Sequence, residues 1–185
     1  ALVAMVSSIA TAAFAAEYDV TKGSVDILAE GGKQYITQWE DKDKDTCVKD
    51  GKGKEIRDRE DSDITLTTKD ETTGKTETAH NTVTIDAKEG NTANVTLQDV
   101  NIEVDTSEAK SGAIEIKGDG NTKLELNGDN TVLVKNNWSE EHAAIEKADK
   151  YGTGTLTIKD DLNDDNTPKD KDENGNAVGG DTGKL

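Results

Sequence analysis

The chain has 185 residues, of which 39 are acidic and 22 are Lys or Arg, for a net charge of −17. That length matches roughly 100–200 residues for one domain, and the carboxylate surplus disfavours nucleic acid and anionic lipid surfaces as partners while leaving divalent cations open. Apolar residues are 31% and aromatics 3%, far below the roughly 45–50% apolar of an ordinary domain, so the chain is disordered unless its apolar residues are concentrated in strands.

Residues 1–15 are uncharged and mostly Ala, Val, Ile, Leu and Met. Ala13-Phe14-Ala15 sets small residues at −3 and −1 of a cleavage point after Ala15, and the stretch reads as a signal-peptide remnant. It is shorter than the about 20 residues of a membrane span. The mature chain is therefore expected to be exported and not inserted in a membrane. Two strands are predicted around Val25-Asp26-Ile27 and Tyr35-Ile36-Thr37, separated by Gly31-Gly32. Residues 40–63 form a highly charged insertion with no apolar face, read as a surface loop that is partly disordered. Its Cys47, the single cysteine, has no internal disulfide partner and reads as a small residue in a polar loop.

Regular alternation follows. Ile64-Thr65-Leu66, Val83-Thr84-Ile85, Val95-Thr96-Leu97, Ile102-Glu103-Val104, Ile114-Glu115-Ile116, Leu124-Glu125-Leu126, Val132-Leu133-Val134 and Leu156-Thr157-Ile158 each have the half-buried strand pattern. The best helical candidate is 139–150, whose Ala143-Ala144-Ile145 suits a strand equally well.

The strands recur. Gly90-Asn91-Thr92 and Gly120-Asn121-Thr122 open two units, and Ala113-Ile114-Glu115-Ile116-Lys117 matches Ala143-Ala144-Ile145-Glu146-Lys147 at the same offset along the chain. Gly152-Thr153-Gly154 opens a third unit. A fixed period of roughly 20–50 residues marks stacked repeats. Three short strands per period, joined by Gly, Asn and Asp turns, outline one coil of a parallel β-helix, whose narrow core needs few apolar side chains. In that fold Val95, Leu97, Leu124, Leu126, Leu156 and Ile158 form one inward column. The alternative is a two-sheet antiparallel β-sandwich, with hairpin turns at Gly118-Asp119-Gly120-Asn121 and Asn127-Gly128-Asp129-Asn130. It pairs Leu124–Leu126 antiparallel to Val132–Val134. The predicted organisation is a leader over 1–15, the β-helix over 16–161 and an acidic Gly- and Asn-rich tail over 162–185. The tail has no cap for a stack of repeats, so the native protein is expected to continue beyond it.

Several segments look familiar. Tyr18-Asp19-Val20 with Gly23-Ser24-Val25 is one, and Gly90-Asn91-Thr92-Ala93-Asn94-Val95-Thr96-Leu97-Gln98-Asp99-Val100-Asn101-Ile102 is another. With Asn127-Gly128-Asp129-Asn130-Thr131, His142-Ala143-Ala144-Ile145-Glu146-Lys147 and Gly154-Thr155-Leu156-Thr157-Ile158-Lys159-Asp160-Asp161, they resemble the carbohydrate-binding domain family of secreted Gram-positive surface proteins. That family is typified by a clostridial cellulose- and pectate-binding protein. The resemblance covers about residues 18–161 and is strongest after Val83; the insertion at 40–63 departs from the family's pattern. It implies a right-handed parallel β-helix similar to pectate lyases but without their activity, at the surface of a bacterium, binding cell-wall polysaccharide with bound calcium.

Candidate site residues lie late in the chain. Counted from Asp170, oxygen ligands fall at Asp170, Asp172, Asn174 and Asp181, with Gly175 at the sixth position, which is the spacing of a calcium loop. A second register through Asp161, Asn163, Asp165 and Asp172 overlaps it, and a solvated acidic tail is the competing reading. Trp138 lies in Asn136-Asn137-Trp138-Ser139-Glu140, and Tyr151 flanks the last strand. An exposed aromatic plane stacks on a sugar ring while Asn136 and Asn137 bond its hydroxyls; alternatively Trp138 folds back as a cap over the end of a coil. Trp39 borders the insertion and reads as a shield for strand edges. His80 and His142 have no second ligand at zinc spacing, and no nucleophile elbow or P-loop is present. The sequence thus predicts a non-catalytic polysaccharide-binding module. A structural or adhesive spacer is the rival, and an active lyase ranks third.

Overall fold

In the computed structural model, which describes residues 16–135, 142–147 and 152–160, alternation becomes strand throughout. The elements are β1 (Glu17–Asp19), a 3-10 turn (Val20–Lys22), β2 (Ser24–Glu30), β3 (Lys33–Trp39), β4 (Arg59–Glu60) and β5 (Ile64–Thr67). There follow β6 (Val83–Ala87), β7 (Thr92–Gln98), β8 (Asn101–Asp105), a one-turn helix α1 (Thr106–Ala109) and β9 (Ile114–Lys117). Last come β10 (Asn121–Asn127), β11 (Thr131–Lys135), β12 (Ile145–Lys147) and β13 (Leu156–Asp160). The eight alternating segments from Ile64 onward are β5 to β11 and β13. Within the helical candidate, Ile145 to Lys147 is strand; residues 139–141 and 148–150 lie outside the described residues.

The fold is all-β, with mainly parallel pairing. A first sheet runs β1-β5-β7-β10-β13, all parallel. A second pairs β8 with β11 in parallel. A third runs β12-β9-β6-β2-β3-β4; its members from β12 to β2 are parallel, and β3 and β4 are antiparallel additions. From β7 the chain visits the first, second and third sheets in turn, repeats the circuit with β10, β11 and β12, and re-enters the first sheet at β13. One circuit carries Val95 to Leu124, Ile102 to Val132 and Ile114 to Ile145, so the return lengthens by one residue from each sheet to the next. Corners absorb the extra residues. The registers accordingly place Ile114 on Ile145 and Glu115 on Glu146, one step off the alignment of the two matching segments in the sequence.

This pairing removes the hairpins of the sandwich alternative. Leu124 and Leu126 lie in β10, parallel to β7 and β13, while Val132 and Val134 pair with Ile102 and Val104 in another sheet. Asn127-Gly128-Asp129-Asn130 is a corner between sheets. Asn130, 5% exposed, accepts the Val100 N–H at 3.0 Å and donates to the Asn127 carbonyl, so its side chain replaces a ladder bond where the strands break. The expected single inward column is realised as several rows. Val95, Leu124 and Ile158 align, Leu97 aligns with Leu126, but Leu156 lies against Thr122. The last return, from Leu124 to Ile158, is longer than the one before it, and the longer corner slides Leu156 and Ile158 back along β10 by one inward position. A slip of two residues preserves the face, because side chains alternate with period two.

The core consists of such rows: Tyr18, Leu66, Leu97 and Leu126; Val25, Val83, Ile114 and Ile145; Ile27, Ile85 and Ile116. Full burial stabilises by roughly 1.5–3 kcal/mol for each large aliphatic side chain, and alternation sends every second residue inward, which is how a chain with 31% apolar residues closes a core. One of the buried polar residues is left without a partner. Thr122 is fully buried and its Oγ1 has no hydrogen-bond partner. Thr122→Val should therefore raise stability by about 1 kcal/mol in urea denaturation, since the isostere removes an unmet hydroxyl.

The two ends of the core differ. At the β3 edge the charged insertion, mostly turns, bends and isolated bridges, packs on the core through the few apolar residues it has: Cys47, Val48 and Ile56 are buried. Backbone bonds run from Val48 N to Gln38 O, Ile56 N to Val48 O and Gln38 N to Ile56 O. Burial pushes the Cys47 thiol pKa up, so it is an inert packed side chain. The apolar positions Val48 and Ile56 stand far apart among charges, a spacing too sparse to register as a strand. Arg59 pairs with Asp50 at 2.8 Å, and the carboxylates of Asp41 and Asp50 accept nearby backbone N–H groups, closing the turns. At the β13 edge Val132, Val134, Ile145 and Leu156 are only partly buried, and Ile158 is 43% exposed.

The turns of the insertion and the buried Tyr18 each give the fold a pH dependence. Backbone N–H donors, from Asp45 to Asp41 and from Lys54 to Asp50, hold both carboxyls below their ordinary values. A depressed carboxyl contributes stability above the unfolded value of about 3.9, lost as pH falls through the folded one. Burial, then the 2.8 Å hydrogen bond to Asp61, pushes the Tyr18 phenol up. A raised phenol contributes fully below the unfolded value of about 10 and is lost as pH rises beyond it. Melting temperature against pH should fall on an acid and an alkaline limb, with the alkaline limb reduced in Tyr18→Phe; Lys33, Lys42 and Lys88, raised by their carboxylate partners, keep part of it.

Candidate functional site

The four residues expected to hold sugar, Asn136, Asn137, Trp138 and Tyr151, lie outside the described residues, as do the calcium candidates Asp170, Asp172, Asn174 and Asp181. Among the described residues the structure instead draws attention to the outer face of the third sheet. Its registers align Thr37, Asp26, Thr84, Glu115 and Glu146 in one outward row, and Tyr35, Leu28, Asp86 and Lys117 in the next. Period two makes these rows: the inward partners Ile27, Ile85 and Ile116 lie between them.

Trp39 ends β3 opposite Ser24. Its Nε1 donates to Asp26 Oδ2 at 2.7 Å, and the Arg57 guanidinium lies over the indole at 5.0 Å. Lys44 pairs with the same Asp26 at 2.6 Å. Trp39 is therefore a half-buried brace that ties the insertion to the sheet face, in keeping with the edge-shielding role read from its position. Nothing local in the sequence marks Asp26 and Arg57 as its partners, because both lie well away from Trp39 along the chain.

Beside this brace a cleft of about 570 Å³ opens. Its floor includes Ser24, Thr82 and Thr84. One wall is the 41–44 segment with Asp41, Lys42 and Lys44; the other is α1 and its exit, with Asp105, Glu108 and Lys110; Glu115 and Lys117 stand on β9. The second wall has a local cause. Asp105 caps α1 by accepting the Ser107 N–H at 2.9 Å, and Lys110 ends it after one turn by adopting a left-handed conformation (φ 54°). Bonds from the Ser107 hydroxyl and N–H hold the Asp105 carboxyl below its usual range, so it stays ionised. Lys42 reaches across to Glu108 at 2.8 Å, joining the walls, and Lys117 pairs with Glu115 at 2.8 Å.

No family model, curated protein or solved structure matches the chain. The site therefore has to be read from its own chemistry. Four carboxylates and four ammonium groups line the cleft, with hydroxyls beneath. Such a surface offers hydrogen-bond donors and acceptors side by side. His80, also on the cleft, has Nδ1 within 2.8 Å of the Glu103 carbonyl, and His142 has Nδ1 within 2.7 Å of Glu146. Among the described residues no group of three His, Cys, Asp or Glu could hold a metal ion, and no helix is long and apolar enough to cross a membrane.

A smaller cavity of about 250 Å³ lies near Gly32 and Asn91. Its amides are already committed: Gln34 exchanges two hydrogen bonds with the Asn94 backbone at 3.0 and 2.7 Å, and Asn91 Oδ1 accepts the Gly32 N–H at 2.8 Å. That cavity is structural, and the larger cleft is the better candidate. The sequence reading missed it because its residues come from five separate segments, none with a motif.

Proposed function

We propose that this chain is an exported bacterial surface protein of the carbohydrate-binding family it resembles, a right-handed parallel β-helix that binds cell-wall polysaccharide without cleaving it. The β-helix reading is supported by the circuit through three sheets, which returns in parallel register from Val95 to Leu124, Ile102 to Val132 and Ile114 to Ile145. The observation that carries the binding role is the outer face of the third sheet, with its row of Thr37, Asp26, Thr84, Glu115 and Glu146, together with its cleft. A polymer lying along such a face makes several weak contacts that add through multivalency. Hydroxyl, carboxylate and ammonium groups at neighbouring positions suit sugar hydroxyls, each both donor and acceptor. Calcium, at Asp170, Asp172, Asn174 and Asp181 in the acidic tail, belongs to the same proposal.

The test is retention of the full chain on a panel of insoluble plant and bacterial polysaccharides, with calcium and with chelator at matched ionic strength. Selective retention on at least one polysaccharide, with no release of soluble sugar, is the expected result. A folded chain that passes through every matrix in both conditions favours the spacer. Release of unsaturated sugars would instead establish the lyase.

A further inference from the structure

We propose that the cleft itself seats the glycan, and that it takes an uncharged, hydroxyl-rich stretch of polymer in preference to a polyanion; this rests on the polysaccharide-binding reading above. Its volume of about 570 Å³ falls within the roughly 300–1,000 Å³ of small-ligand sites. Charge selects the ligand. The whole chain carries −17, yet the cleft balances four ammonium groups against four carboxylates. A polyanion gains no net positive potential there and is repelled by the body of the protein.

An uncharged polyol exploits what is left. Lys42 is paired with Glu108, Lys44 with Asp26 and Lys117 with Glu115. A neutral ligand leaves the Lys44–Asp26 and Lys117–Glu115 pairs intact, so neither charge is stranded when water is displaced. A sugar hydroxyl donates to the carboxylate of a pair while accepting from its ammonium, and charge-assisted bonds of this kind are stronger than neutral ones. The hydroxyls of Ser24, Thr82 and Thr84 continue the pattern across the floor. The bridge between the walls is an entrance that yields easily. Lys42 and Glu108 have side chains 85% and 68% exposed, and pairs exposed to that degree hold weakly.

Two substitutions on the strands test the seat. Thr84→Leu puts apolar bulk in place of a floor hydroxyl on β6, and Lys117→Leu puts an apolar side chain in place of an ammonium group at the exposed end of β9. Calorimetric titrations would compare neutral hexose oligosaccharides with uronate oligosaccharides of equal length, at about 50 and about 500 mM salt. For the unsubstituted chain we expect binding of the neutral series, with affinity changing less than about twofold between the salts, because exposed-charge attraction is what salt screens. Each variant should bind about five- to tenfold more weakly with an unchanged melting temperature, as loss of a hydrogen-bonding group at the site predicts. If Thr84→Leu fails to fold, Lys117→Leu decides. Preference for the uronate series, or steep salt dependence, overturns the uncharged ligand. Undiminished affinity in the folded variants removes the cleft but leaves polysaccharide binding standing. A chain that binds neither series, and none of the insoluble polysaccharides, overturns this inference and the reading beneath it together.

Discussion

Leu97→Ala should destabilise the protein by about 3–5 kcal/mol, the upper part of the range for leucine truncation in cores. Leu97 is fully buried on β7, with Leu66 aligned on one side and Leu126 on the other. Truncation costs most where neighbours cannot close the gap. Here the flanking residues are fixed by parallel ladders on both sides, so the strands cannot approach each other without breaking backbone bonds. Position along the row grades the cost. Leu126, 6% exposed and nearer the β13 edge, should lose about 2–3 kcal/mol on truncation. Leu133 points outward from β11 and is 45% exposed; its truncation should fall within about 0.5 kcal/mol. Urea denaturation of the three variants measures the series. Equal losses at Leu97 and Leu133 would mean that the inward and outward faces have been exchanged.

The strands were legible because the physical signal was local. Val-Thr-Ile or Leu-Glu-Leu alternation sorts side chains to two faces whatever lies next door, and all eight such segments from Ile64 onward are strands. Parallel pairing of β10 with β7 and β13 removes the hairpins at the disputed turns. The unequal returns, Val95 to Leu124 against Ile114 to Ile145, were not legible, because a corner absorbs an extra residue without altering the strand that follows. Nor was the short strand β4, whose Arg59 and Glu60 carry no apolar signal and pair only because β3 offers an edge. So short and charged an edge strand also discourages further pairing.

The candidate site was scarcely legible. The sequence directed attention to Trp138, Tyr151 and the acidic tail, all outside the described residues. The cleft is assembled by tertiary contact alone. Lys42 and Glu108 are 66 residues apart, and Lys44 and Asp26 are 18 apart on either side of a strand turn. Charged residues are abundant in a chain with 39 acids, so abundance conceals which of them meet. What the sequence did expose was the chemistry available: few aromatics, many hydroxyls and amides, and a surplus of acids with lysines among them.

Gly118→Ala should cost about 3–4 kcal/mol, and Gly90→Ala only about 1–2, although both glycines precede a strand of the first sheet and both are left-handed. Their φ angles are 79° and 76°, so the conformational part of the cost, about 1–2 kcal/mol for a residue with a Cβ, is common to both. The difference lies in what the Cβ meets. At Gly90 nothing lies within 4 Å. At Gly118 it would overlap the Ala87 carbonyl oxygen and lie 2.6 Å from Asp86 Oδ1. The carbonyl cannot retreat, because it also accepts the Gly120 N–H at 2.8 Å, a bond that joins the corner after β9 to the end of β6. Relieving the overlap moves one corner away from its neighbour and weakens that bond, at a cost of the order of 1–3 kcal/mol for overpacking. The excess of Gly118→Ala over Gly90→Ala in thermal or urea denaturation therefore measures how tightly successive circuits of the chain touch. Equal costs at the two positions would show that the corners stand apart and that side-chain rows alone hold the circuits together.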